Sequence, residues 1–141
     1  MSTTETLRGH ANEIFKAAVQ AVDAEQCVRS FVSRSGQMLT INERDYNLSN
    51  FDTVYVVGAG KASPRMARHL VEVLGDDLTG GVINTKYEHG EELAKIDVVE
   101  CGHPVPDESG VGGTNRILEI LEGADERSLV VCLLSGGGSA I

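Results

Sequence analysis

An α/β fold built on an open, mainly parallel sheet follows from three observations on this chain. Two apolar runs, Thr53–Val57 and Leu129–Leu134, are nearly unbroken, the pattern of strands buried on both faces of a parallel sheet. Each run ends in a glycine-rich turn, Gly58-Ala-Gly-Lys61 and Ser135-Gly-Gly-Gly-Ser139. From residue 53 onward strand patterns alternate with helical ones, which implies right-handed crossovers. Together these predict a Rossmann-like sheet with helices on both faces, preceded by N-terminal helices. With Phe 3, Tyr 3 and Trp 0, its core must be aliphatic.

Residues 3–22 carry Leu7, Ala11, Ile14, Phe15, Ala18 and Val22 at helical spacing. A second helix is expected from about Asp23 through Val28, Phe31 and Val32, with Asp23 and Glu25 complementing its N-terminal dipole. Residues 35–52 are polar apart from Met38 and Leu39 and are expected as a loop or short edge strand. The first sheet strand falls at about 53–57, then a loop at 58–61 and a helix at about 63–74. Ser63 is its expected N-cap, and Pro64 takes the first helical position, where a missing N–H costs nothing. Gly75 supplies the stop. Further strands are expected at Gly81–Asn84, Lys95–Cys101 and Ser128–Leu134. Gly102–Asp107 cannot be regular, because each proline restricts its predecessor. A helix from about Ser109 or Val111 to Leu121 follows, with Ile117, Leu118, Ile120 and Leu121 on its apolar side. Residues 1–52 thus form N-terminal helices and a connecting loop, and 53–141 begin the α/β domain.

At 141 residues and 41% hydrophobic, the chain is large enough for one real core. A net charge of −9, with no basic run and no aromatic stacking platform, argues against a nucleic-acid surface. The acidity fits solubility at high salt or an ordinary acidic cytosolic enzyme. Cys27, Cys101 and Cys132 form no CxxC pair, and Cys101 and Cys132 are expected as small buried hydrophobes. No signal-peptide start and no bilayer-length apolar stretch are present, so a cytoplasmic location without membrane contact is expected.

Gly58-Ala-Gly-Lys61 fits neither familiar glycine fingerprint. Ser63 stands where G-x-G-x-x-G needs its third glycine, and the second strand ends Ile83-Asn84, with no acid for a ribose hydroxyl. A P-loop needs glycine at Tyr55 and Ser or Thr at Ala62. What remains is physical: Gly58 and Gly60 let the backbone approach a ligand, and Lys61 places an ammonium at the mouth for a phosphate or carboxylate. The plainer alternative is a tight turn with a surface lysine. In the second loop the amides of Gly136, Gly137 and Gly138 can form a nest for an anion, with Ser135 and Ser139 hydroxyls as added donors. A plain turn is one alternative. A Ser139 nucleophile is another, although the glycine expected two residues later is Ile141. His103-Pro-Val-Pro-Asp107 follows a strand and so lies at the same sheet edge, where its prolines can set His103 and Asp107 over a ligand. Alternatively His103 is merely solvated and Asp107 caps the next helix. His10, His69, His89 and His103 have no metal-ligand spacing.

In their order and spacing these three loops resemble the N-terminal domain of the MOFRL-type glycerate 2-kinase family, some members of which carry a hydroxypyruvate reductase label. The match rests on Val57-Gly-Ala-Gly-Lys-Ala62 with Met66-Ala67 in the following helix, on Gly102–Asp107 and on Leu134–Ala140, and spans nearly the whole chain. Ser63-Pro64 replaces the alanine-rich helix start usual there. The resemblance implies ATP-dependent phosphorylation of the 2-hydroxyl of D-glycerate, with Mg2+ on the nucleotide. It assigns Lys61 to offset charge on the phosphoryl group or carboxylate, and the Ser135–Ser139 loop to hold their oxygens. Asp107 becomes a weak candidate for the base. Family members are longer, with a second domain across a cleft, so this chain is expected to be an N-terminal part lacking a C-terminal domain and inactive alone. A sheet face left without its following helix is expected to favour a homodimer or poor solubility. The rival readings are an NAD(P)H-dependent hydroxypyruvate reductase and a non-catalytic anion- or nucleotide-binding module.

Overall fold

A computed structural model describes residues 3–136 of the chain. Two helices come first, α1 (Thr3–Ala21) and α2 (Ala24–Phe31), followed by three short strands, β1 (Val32–Ser35), β2 (Met38–Ile41) and β3 (Arg44–Asn47). The remainder alternates as β4 (Thr53–Ala59), α3 (Ser63–Leu74), β5 (Gly80–Lys86), β6 (Ile96–Cys101), α4 (Glu108–Gly123) and β7 (Ser128–Leu134).

The predicted α/β architecture is present. Strands pair in the order β6-β5-β4-β7, all parallel. The chain leaves β4 in one direction toward β5 and β6, then returns through α4 to place β7 on the other flank of β4. That reversal makes the gap between β4 and β7 a topological switch point, where open α/β sheets bind ligands. Ile83 and Asn84 show how the two faces are shared, since consecutive strand residues point to opposite sides. Ile83 is fully buried in one cluster with Val54, Val56 and Leu133 and with Ala67, Leu70 and Leu74 of α3. Asn84 instead donates to the Gly110 carbonyl of α4 at 3.1 Å. Helices therefore cover both faces.

Several local expectations give way to tertiary structure. The segment expected as a loop or edge strand holds a three-stranded antiparallel sheet in the order β1-β2-β3. Its strands are four residues each, too short for alternation to stand out. Asn42 and Glu43, with φ of 46° and 67°, form the two-residue turn that suits a hairpin's twist. Leu39, fully buried, joins this sheet to the main core. Arg34 fastens it to the end of α3, donating to the Val73 and Leu74 carbonyls at 3.0 and 2.9 Å and to Asp77 at 2.5 Å. A cation there also complements the helix dipole.

Val32 opens β1 and does not extend α2. Asp23 is the cap of α2, accepting from the Gln26 amide at 3.1 Å. Ser63 is the first residue of α3 and makes no capping bond, since its hydroxyl turns back toward the sheet. Gly58 belongs to β4, which runs two residues past its expected end. Leu118 and Leu121 are exposed, and Gly113 is the buried residue of α4. Cys101 is buried, but Cys132 is exposed: it pairs in register with Val57, on the face where α4 covers β5 and β6. No helix among the described residues is long and apolar enough to cross a membrane.

Gly113 explains how a glycine-rich stretch sits in α4. A Cβ there would overlap Asn84 Oδ1 and lie 2.8 Å from Asn84 Cγ and 3.1 Å from Val99 Cγ1, whereas a Cβ on neighbouring Gly112 meets nothing within 4 Å. The two positions should therefore respond oppositely to alanine. Gly112→Ala is expected to stabilise by about 0.5–1 kcal/mol through helix propensity. Gly113→Ala is expected to destabilise by roughly 1–3 kcal/mol through overpacking. Urea midpoints of the two variants check this, and equal shifts of the same sign would contradict the packing described.

Candidate functional site

Parallel strands bring the loops after β4, β5, β6 and β7 to one edge. At the switch point the backbone of both glycine loops is tied to neighbouring strands before it turns. The Gly60 amide donates to the Asn84 carbonyl at 3.0 Å, and the Ser135 amide donates to the Ala59 carbonyl at 3.2 Å. Two hydroxyls then fasten the loops to each other. Ser135 Oγ accepts from the Ala62 amide at 2.9 Å and lies 3.3 Å from Ser63 Oγ. Ser63, fully buried, donates to the Ala59 carbonyl at 2.6 Å, with the Leu133 carbonyl 3.2 Å away.

This closeness dictates glycine at residue 60. Its φ of +118° lies where side chains are strained, and a Cβ would overlap both the carbonyl and hydroxyl oxygens of Ser135. Gly58 is needed for space alone, since a Cβ there would sit 2.5 Å from the Leu133 carbonyl oxygen. The Ser135 hydroxyl, expected as a donor toward an anion, is engaged with the amide that opens α3. Gly136 continues the loop with φ +59°. Gly137, Gly138 and Ser139 lie outside the described residues.

Lys61 is exposed in the turn between β4 and α3 and has no hydrogen-bond or ion-pair partner among the described residues. It stands three residues before Pro64 and immediately ahead of the helix N-cap Ala62, where backbone dipoles favour negative charge. The structure thus brings Gly58, Gly60, Lys61, Ser135 and Gly136 together at the switch point.

His103 and Asp107 follow β6, on the far side of β5. His103 is half-buried, and its Nδ1 is shielded from solvent without a partner among the described residues. Asp107 caps α4: its carboxylate accepts from the Gly110 amide at 3.1 Å and the Tyr87 hydroxyl at 2.8 Å. Its pKa is lowered, first by a hydrogen bond from the Gly102 amide, then by Tyr87 and Gly110. A carboxylate so satisfied is a poor proton acceptor and a good strut. Tyr87, which holds it, escaped the sequence reading, because a lone tyrosine after a strand carries no spacing signal. Among the described residues no three His, Cys, Asp or Glu side chains form a group able to hold a metal ion.

Residues 10–141 match the family described as Domain of unknown function (DUF4147). The chain belongs to this family. Over 142 aligned residues this DUF4147 chain is 37% identical to a D-glycerate 2-kinase of Thermotoga maritima, covering 100% of the chain and 31% of that protein. It is 39% identical over 124 residues to a glycerate 2-kinase of Pyrococcus horikoshii, covering 88% of the chain and 27% of the relative. A solved Pyrococcus horikoshii protein superposes with a TM-score of 0.83 at 36% identity, over 95% of this chain and 30% of that one. The DUF4147 chain thus spans under a third of the length of the relatives it matches.

The bonds to Asp107 carry a pH signature. A depressed folded pKa contributes stability above the unfolded value of 3.8, which is lost as pH falls through the folded pKa. Asp107→Asn should therefore lower the melting temperature at pH 7, and the gap to wild type should narrow as pH drops below 3.8. Thermal melts across that range check it; a gap that persists unchanged in acid would show that the carboxylate's charge is not what the capping amides use.

Proposed function

We propose that this DUF4147 domain is the N-terminal part of a MOFRL-type glycerate 2-kinase, transferring the terminal phosphoryl group of ATP to the 2-hydroxyl of D-glycerate. The observation that carries the reading is the pair of glycine loops locked together at the switch point beside the unpaired Lys61. It is supported by relatives that bear the glycerate 2-kinase name across the chain at 37–39% identity. On this proposal residues 1–52 and the α/β domain beginning at residue 53 form one side of a cleft.

Phosphoryl transfer requires positioning and charge neutralisation more than covalent chemistry from the protein. Lys61 supplies the mobile positive charge for the phosphoryl group in flight. The amides around Gly60 and of the loop that begins Ser135-Gly136 supply fixed donors, and the Ser135–Ala62 bond keeps the two sets in register. ATP is the phosphoryl donor, and Mg2+ accompanies its phosphates. The described residues hold no cluster of acids able to cage Mg2+ by themselves, in keeping with an ion carried mainly by the nucleotide phosphates. Asp107 is a positioning residue, holding the His103 segment in place through Gly102, Gly110 and Tyr87.

The test is a product-resolved assay of the polypeptide carrying these residues, with D-glycerate and Mg·ATP and separation of 2- from 3-phosphoglycerate. Formation of 2-phosphoglycerate is expected, with Lys61→Ala reducing kcat by roughly 10²- to 10³-fold, the scale of one preorganised charge-stabilising contact. NADH oxidation with hydroxypyruvate in the absence of either phosphoglycerate would overturn the kinase in favour of a reductase.

A further inference from the structure

The protein carries 12 Lys and Arg against 21 Asp and Glu, so a cation left without an acid is an informative exception. Six arginines (Arg29, Arg34, Arg65, Arg68, Arg116 and Arg127) hold carboxylates. Lys95 spends its ammonium on the Gly75, Asp76 and Leu78 carbonyls at 2.8–3.3 Å. Arg8 and Lys16 ride on α1, and Arg44 opens β3 in the small sheet. The two that remain, Lys61 and Lys86, both stand at the carboxyl edge of the parallel sheet.

Lys86 is the last residue of β5 and half-buried, in register with Cys101 just before the Gly102–Asp107 segment. Its carbonyl accepts from the His89 amide at 3.0 Å, but its ammonium has no hydrogen-bond or ion-pair partner among the described residues. The acids packed around that corner are committed elsewhere. Asp107 is held by Gly102, Gly110 and Tyr87, and Glu100 accepts from the Gly90 amide at 2.8 Å. Glu88 and Glu108 are exposed and form no ion pair with Lys86. The stem of Lys86 is partly covered while its ammonium is not among the buried groups, so the charge is presented at the sheet edge with no described acid paired to it.

The proposed reaction has two anionic groups to seat, a phosphate chain and a carboxylate. The β4–β7 side offers clustered amides, a helix N-terminus and Lys61, which match a phosphate. Lys86 lies one strand away on the other side of β4, about 4.8 Å across the sheet, with no glycine nest beside it. A compact single charge there matches a carboxylate. We infer that Lys86 binds the carboxylate of the hydroxy-acid substrate and so separates it from neutral polyols, with Lys61 left to the phosphate; this rests on the kinase reading above.

Calorimetric binding of D-glycerate and of inorganic phosphate to the whole polypeptide tests it, with wild type, Lys86→Met, Lys86→Arg and a charge control, Lys16→Met. Lys86→Met is expected to weaken D-glycerate by about 10- to 100-fold, the scale of one lost charge-assisted hydrogen bond, and to leave phosphate within about twofold. Lys86→Arg should recover most of the loss, and Lys16→Met should match wild type. In turnover, the KM for D-glycerate should rise while kcat and the KM for ATP hold. Equal weakening of phosphate and glycerate, or unchanged glycerate binding in Lys86→Met, would overturn the assignment. If wild type binds D-glycerate through Lys86 yet forms no phosphoglycerate, the kinase reading falls and the carboxylate site stands. If wild type does not bind D-glycerate at all, the carboxylate site falls too. Matched melting curves guard against a folding defect in Lys86→Met.

Discussion

The hydrogen bond from the Ala62 amide to Ser135 Oγ, made possible by the bare backbone of Gly60, is the constraint on which the carboxyl edge depends. It joins segments 73 residues apart, the start of α3 and the exit of β7. Ser63 lies beneath it, fully buried, with its hydroxyl shared among the Ala59 carbonyl, the Leu133 carbonyl and Ser135. Ser63 is buried and Ser135 and Ala62 are partly covered, so the clamp fixes the spacing of the two loops from beneath the edge. Its polar members are mutually satisfied, which is the condition under which a buried polar cluster adds rigidity.

Electrostatics divides the surface in a complementary way. Ion pairs such as Arg127–Asp52 at 2.5 Å and Arg29–Glu72 at 2.8 Å are exposed and each adds little stability. Their larger effect is to remove arginines from circulation. In a chain of net charge −9, Lys61 and Lys86 are the two cations at the carboxyl edge whose ammonium groups have no acid partner among the described residues. Clefts lined by positive charge raise the local concentration of an anionic ligand.

The parallel sheet was visible in the sequence because its signals are redundant: aliphatic runs, glycine exits and intervening helical periods agree at Thr53–Ala59 and Ser128–Leu134. The hairpins at 32–47 were hidden because four-residue strands offer two inward positions at most, and Leu39 alone reads as isolated. Ser63 fitted the sequence rule for an N-cap, but a buried hydroxyl beside three oxygens had a better offer across the sheet than along its own helix. Gly58, Gly60, Lys61 and Ser135 were found by motif. Tyr87 and Lys86 were not, since their significance comes from strand order, and the order β6-β5-β4-β7 is not written in any local pattern.

The small sheet acquires a mechanical meaning from where Arg34 grips. α3 is a rod of 12 residues, with Arg34 holding the carbonyls at one end and Lys61 preceding the other. At 1.5 Å per residue the rod is about 18 Å long, so a tilt of roughly 5° at the gripped end moves the far end by about 1.5 Å. Displacements of that order are enough to spoil a reacting geometry. The β1–β3 hairpins, through Arg34, therefore hold one end of α3 while the Ser135 clamp holds the other, and the two restraints together keep the helix behind Lys61 from tilting.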